Sequence, residues 1–192
     1  TVTSLGTLDG SEGTVTYDQS GSQTILSDTY YNLSIKYNNA NCTKSPSGNI
    51  TCNGNFFEES SSGISLYNLG TRTHTTNGST DINELLYIST GRYNADGNFD
   101  ATGGIIDFTS TGTLALSSTV TSLGSLDVSN GTVEYDGGSQ TVISDVYYNL
   151  EIDQAGTKSA ASTVSIYGTM TVQSGSTYSS NSVATNVTGN SD

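Results

Sequence analysis

Positive charge is what this chain most lacks. Lys and Arg together number five against 18 Asp and Glu, for a net charge of −13. Binding a phosphate backbone needs clustered Lys and Arg, so nucleic acid is excluded as a partner. Apolar residues make up 32% of the chain, against the roughly 45–50% of an ordinary globular domain. A compact globule would be short of core, whereas an elongated fold with a thin core needs less. No run of 18 apolar residues occurs, so no membrane-spanning helix is expected. No stretch of ten or more residues carries apolar positions at i, i+3, i+4 and i+7, and long charged helix formers are scarce. There is no tryptophan and one histidine. No signal peptide is present and the first residue is Thr1, which reads as a processed chain or part of a longer one.

What is abundant is small, polar or β-favouring. The sequence holds 31 Ser, 30 Thr, 22 Gly, 17 Asn and 12 Tyr. β-Branched and aromatic residues suit a pleated surface, and Gly, Asn and Ser suit the turns between short strands. The composition specifies an all-β protein.

The strongest pattern is an internal repeat. Residues 1–36 and 119–153 match at 25 positions with one single-residue gap. After a three-residue difference, TKSPSGNITCNGNFF (43–57) aligns with TKSAASTVSIYGTMT (157–171). The first unit therefore spans 1–118 and the second, 119–192, is incomplete and continuous with it. Within each unit the period is two: Tyr31, Leu33 and Ile35 alternate with Tyr30, Asn32 and Ser34, as Tyr148, Leu150 and Ile152 do with Tyr147, Asn149 and Glu151. Copies differ on the polar set (Ser34 against Glu151, Lys36 against Asp153), the behaviour of half-buried strands. Gly-Thr-apolar recurs at 6–8, 13–15, 112–114, 131–133 and 168–170, a turn-then-strand module.

GTVTYDQSGSQTILSDTYYNLSI followed by TKSPSGNITCNGNFF, and GRYNADGNFDATGGIIDFTSTGTLAL at 91–116, resembles the β-strand repeats of large secreted prokaryotic surface proteins of adhesin-like and hemagglutinin-like type. The resemblance implies a β-solenoid, extracellular or cell-surface display, and a structural or adhesive role without catalytic residues. The segment 71–86 is less regular than its surroundings and puts strict coil geometry in doubt there.

Several residues stand out from the repeat. Cys42 and Cys52 are both missing from the second copy, and Cys42 ends the insertion YNNANC (37–42). Their joint gain beside a longer loop suggests a disulfide in an oxidising compartment, the alternative being a buried thiol at Cys52, which aligns with Ile166. Asn94, Asp96, Asn98 and Asp100 alternate, with Asp107 further on. Asp96, Asn98, Asp100 and Asp107 have the oxygen-rich spacing of a calcium loop, although Ala101 stands where an EF-hand needs Gly. A strand with Tyr93, Ala95, Gly97 and Phe99 on one face explains the same alternation. No other cofactor is indicated.

His74 reads as a solvated loop residue. Asp9, Asp18 and Asp28 recur as Asp127, Asp136 and Asp145, which favours turn residues over the matched acid pair of a solenoid-fold polysaccharide lyase or hydrolase. Six N-glycosylation sequons (Asn32, Asn41, Asn49, Asn77, Asn130, Asn186) carry no weight, since this composition yields about five by chance. Tyr30 and Tyr147 are expected to project outward, either stacking on sugar rings or a partner's aromatics or shielding neighbouring strands.

These readings give a β-solenoid with coils of roughly 18–25 residues, eight to ten coils and a rod about 40–50 Å long. Tandem Ig-like sandwiches are the alternative. The expected role is a segment of a filament, stalk or adhesin that associates head to tail or continues in a longer chain, with glycan binding as the alternative and an enzyme a distant third.

Overall fold

The computed structural model describes residues 2–38, 41–59 and 65–190. Residues 39–40 of the 37–42 insertion therefore lie outside the described residues. Every regular element described is a strand. In chain order they are β1 (Thr14–Tyr17), β2 (Gln23–Ile25), β3 (Thr29–Tyr30), β4 (Asn32–Ile35), β5 (Thr43–Pro46), β6 (Ile50–Cys52), β7 (Phe56–Glu58), β8 (Leu66–Gly70) and β9 (Thr73–Thr76). Next come β10 (Thr80–Ile82), β11 (Leu85–Ile88), β12 (Arg92–Ala95), β13 (Phe99–Asp100), β14 (Ile105–Phe108), β15 (Thr113–Leu116), β16 (Val120–Ser122), β17 (Ser125–Leu126) and β18 (Thr132–Tyr135). The last are β19 (Gln140–Val142), β20 (Val146–Tyr147), β21 (Asn149–Ile152), β22 (Gly156–Ala160), β23 (Val164–Ile166), β24 (Met170–Val172), β25 (Ser176–Ser179) and β26 (Thr185–Val187).

Except at β16 and β17, each strand pairs in parallel with the strand three further along where one follows, so the chain winds as a three-faced β-solenoid. The first face runs β1-β4-β7-β10-β13-β16 and the second β2-β5-β8-β11-β14-β17. The third face runs unbroken through eight strands, from β3 to β24. The Ig-like alternative falls, because sandwiches pair their strands antiparallel. Coils range from 17 residues (Thr132 to Asn149) to 24 (Ile50 to His74). The segment 71–86, expected to be irregular, is regular: Thr73–Thr76 pair residue for residue with Arg92–Ala95.

Alternation builds the core. On the third face, Ile50, His74, Tyr93, Leu114, Val133, Leu150 and Met170 form one inward column. Its outward neighbours include Thr51, Thr75, Asn94 and Glu134. The period of two holds only within a strand. At the bend after Tyr30 the phase resets, so Tyr30, Leu33 and Ile35 are all buried.

Corners stack as tightly as strands. Gly54 and Gly78 donate their N–H groups to the carbonyls of Tyr31 and Gly54 in the preceding coils. A Cβ on Gly97 would lie 2.1 Å from the carbonyl oxygen of Gly78, so only glycine fits. Asn side chains extend the ladder round the corner: Asn32 Oδ1 accepts from the N–H of Asn55, and Asn55 Oδ1 from that of Ser79. Asn149, the copy of Asn32, accepts from Thr169 in the same way.

The two copies are not superimposed along the rod. β18 is the copy of β1 and stands seventeen strands after it, which is not a multiple of three. β1 therefore lies on the first face and β18 on the third. Each repeat advances the coil and also turns it back by one face, about 120° in a three-sided coil.

Candidate functional site

The described residues best equipped for chemistry lie inside the coil. His74 is not a solvated loop residue: it is the inward member of β9 and is fully buried. Its Nε2 lies 3.4 Å from the Sγ of Cys52, and its Nδ1 lies 2.8 Å from the hydroxyl of Tyr67. Thr76 Oγ1 is 3.3 Å from Nε2 and 3.1 Å from the hydroxyl of Tyr93, which is in turn 3.2 Å from Thr80 Oγ1. Phe56 packs edge-on against the imidazole, with centroids 4.6 Å apart.

A thiol, an imidazole and a third polar group in line are the ingredients of nucleophilic catalysis. Burial disarms them here. It pushes the Cys52 thiol up to about 12 and the His74 imidazole down to about 3. At neutral pH neither ionises, so there is no thiolate to attack and no imidazolium to assist it. Cys52, His74 and Tyr67 are all sealed from solvent. The cluster is a hydrogen-bonded polar core, in which each buried polar group finds a partner.

The cysteines are not joined to each other, contrary to the disulfide expectation. Cys42 precedes β5 on the second face, while Cys52 ends β6 on the third and turns its sulfur to His74. For Cys52 the buried-thiol alternative is the correct one.

Tyr30 and Tyr147 face inward rather than outward, both fully buried. Tyr30 donates to the carbonyl of Leu26 at 2.6 Å, and its oxygen is 3.1 Å from that of Tyr17, which accepts from the N–H of Leu26. Tyr147, Tyr135 and Ile143 repeat this arrangement in the second copy. The exposed tyrosine is Tyr167, at 52%.

The calcium set is not assembled. Asp100 Oδ1 accepts from the N–H and hydroxyl of Thr102, Asn98 Oδ1 accepts from Ser118, and Asp107 sits mid-strand in β14. Asp96 lies exposed beyond β12. No group of three or more His, Cys, Asp or Glu gathers to hold a metal among the described residues. Alternation puts these oxygens on successive outward positions, not around one centre. The repeated acids at Asp9 and Asp127 close identical turns, each accepting from the serine two residues on at 2.9 Å. Asp28 and Asp145 cap the next residue's N–H.

Lys44, Lys158 and Glu58 are fully buried charged side chains that carry no sequence motif. Lys44 and its copy Lys158 point inward and cap corner carbonyls: Lys44 Nζ donates to Gln19 O (2.7 Å) and Gln23 Oε1 (2.9 Å), and Lys158 Nζ to the carbonyls of Asp153 and Gln154. Their identity in both copies, at a position framed by Thr and Ser, is the available signal. Glu58 ends β7, fully buried, with Oε1 accepting from Tyr37 at 2.6 Å and Oε2 without a hydrogen-bond partner among the described residues. Burial pushes its carboxyl up to about 8, and Glu84 nearby adds to the rise.

No family model, curated protein or solved structure matches this chain.

Proposed function

We propose that the chain is a non-enzymatic structural segment of an extracellular filament, stalk or adhesin, lengthened by adding repeats coil upon coil. The observation that carries this reading is the third face, whose eight-stranded sheet crosses the repeat boundary without interruption. Repeats therefore fuse into one rod instead of folding as beads. The side chains with catalytic potential are spent on the interior, and the corner amides and glycines serve rung-to-rung stacking.

The strands at each end, β1 to β3 and β24 to β26, are paired on one side only. Such edges pair with further rungs, either of the same chain or of a second copy arranged head to tail. The net charge of −13 opposes lateral clumping, and salt or divalent cations favour elongation by screening it. A glycan- or surface-binding module is the second reading, favoured by exposed Tyr167 one rung above Tyr148 on an outer corner.

Electron microscopy of chains carrying one, two and three repeats tests the rod. At about 4.8 Å per rung, seventeen strands on three faces add roughly 27 Å per repeat. Beads on flexible linkers would overturn it. Sedimentation across ionic strength tests association: a chain that stays monomeric at high concentration in salt and calcium leaves the module reading alone.

A further inference from the structure

Two faces of the solenoid break inside the second repeat, whose opening strands β16 and β17 still pair back onto the first. β16 pairs back to β13 and β17 to β14, but neither pairs forward. β19 and β20 instead start new three-stranded sheets, β19-β22-β25 and β20-β23-β26. The coil crossing the break is 19 residues long on the third face (Thr113 to Thr132), well inside the range of the other coils, so length does not force it. Each broken face carries an open cleft. One, of about 590 Å³, lies between Thr119 and Val120 on one side and Gln140 and Thr141 on the other. The second, of about 430 Å³, runs along β14 and β17.

We infer that β19 and β20 start a new stack on two faces of the coil, and that the break before them is a hinge whose leaf is the third face. This concerns how the rod bends and rests on the solenoid geometry, not on where the rod is used.

Both copies start in the same self-supporting way. In the first, Ile25 accepts from the rung above through the N–H of Ser47, so the groups of Leu26 point down, where β2 and β3 have no rung. The hydroxyls of Tyr17 and Tyr30 satisfy them from inside. In the second copy Val142 accepts from Ala161 above, and Ile143 points down toward the break, satisfied by Tyr135 and Tyr147. A tyrosine pair thus replaces the missing rung at the start of each stack, and unpaired buried backbone groups are avoided.

The ties that cross the break gather on the third face and its corner. β15 and β18 pair over four residues. Arg92 reaches two coils on, with Nη1 2.6 Å from Glu134 and Nη2 3.4 Å from Asp136. Ser117 donates to Asp136, and Gln140 Nε2 to the carbonyls of Leu116 and Ser118. Bending about this face opens the opposite corner, where β16 turns into β17 and β19 into β20. Val120, Leu123 and Val142 remain in the core there, which keeps the motion small.

Hydrogen exchange of the intact chain tests the hinge. Amides of β16, β17, β19 and β20 are expected to exchange at least roughly tenfold faster than those of β9, β12, β15 and β18. Arg92→Ala should raise exchange from β16 to β20 and leave β5 to β8 unchanged. Equal protection on all three faces across the break overturns the hinge, as does an Arg92→Ala effect spread evenly over both stacks. The wild-type comparison stands even if the variant folds poorly, and a chain that stays monomeric in sedimentation would not alter it.

Discussion

Glu58 makes stability depend on pH in a direction opposite to that of most carboxylates. Its carboxyl is pushed up to about 8 in the folded chain from an ordinary 4.5, chiefly by burial. The folded state thus holds this proton more tightly than the unfolded one. Its stabilising effect is complete below about pH 4.5 and is lost as pH rises through about 8. Each tenfold gain in proton affinity on folding is worth about 1.4 kcal/mol, so the full swing is on the order of 3–5 kcal/mol. The groups that face it pull both ways: the hydrogen bond from Tyr37, itself held far above its usual range by burial, and the backbone N–H groups of Tyr67 and Glu84 lower the carboxyl, the charge of Glu84 raises it, and burial outweighs them. The pair formed by Lys36 and Glu59 is about half exposed and adds little.

Glu58→Gln keeps the shape and the acceptor for Tyr37 but removes the ionisation. Urea unfolding from about pH 5 to pH 9 should show wild type losing stability steadily and the variant losing much less. The two curves should cross or converge toward low pH, with the variant ahead by about 2 kcal/mol or more at the alkaline end. Burial also raises Asp81, Asp107 and Asp145, so some decline common to both proteins is expected. The difference between the curves isolates Glu58. Parallel curves would refute the argument, since they would mean that Glu58 titrates alike in both states. Glu58→Val, which copies Val172 of the second repeat, is the poorer test because it leaves the Tyr37 hydroxyl without its acceptor.

Tyr30→Phe and Tyr147→Phe should each cost about 1–3 kcal/mol in thermal or urea unfolding with strand content unchanged, because Leu26 and Ile143 lose the donor to their carbonyls; a neutral result would mean that water reaches these corners. Gly97→Ala should destabilise by roughly 3 kcal/mol or prevent folding, since the added methyl meets the carbonyl of Gly78 at 2.1 Å; normal expression and an unchanged melting point would count against the corner stacking. Arg92→Ala should cost about 1 kcal/mol, given that its side chain is 37% exposed, and the loss should shrink in high salt. Cys52 should resist alkylation until the chain unfolds, and rapid labelling of the native protein would contradict its burial.

The coil was legible because its two signals are independent of packing detail. The internal repeat and the alternation Leu33, Ile35 against Asn32, Ser34 specify short strands that stack in register. The candidate sites were less legible because alternation gives a side only until the next corner. Carrying the period from Leu33 back through Tyr31 puts Tyr30 outside, whereas the bend at Tyr31 resets the phase and turns Tyr30 in. His74 went unrecognised for a related reason: in a Thr-rich strand, every inward position is polar by composition, and only the register with Tyr93 and Ile50 shows which Thr and His face the core. The cysteines illustrate the limit of copy comparison. Their joint absence from the second unit is real, but the aligned Ile166 already indicated an inward site at Cys52.

The seventeen-strand repeat on a three-sided coil has a consequence for the whole rod. Had the unit held a multiple of three strands, each repeat would show the same face in the same direction, and every weak corner would fall on one side. Such a rod would bend always the same way. Turning back one face per unit places successive junctions about 120° apart, so three repeats distribute their hinges around the axis. The leaf of the junction seen here is the third face, because β18 continues it; a further repeat of equal length would begin on the second. Local compliance at each junction then averages to a rod that flexes without a preferred direction, while one unbroken face at each junction keeps neighbouring repeats joined by hydrogen-bonded strands.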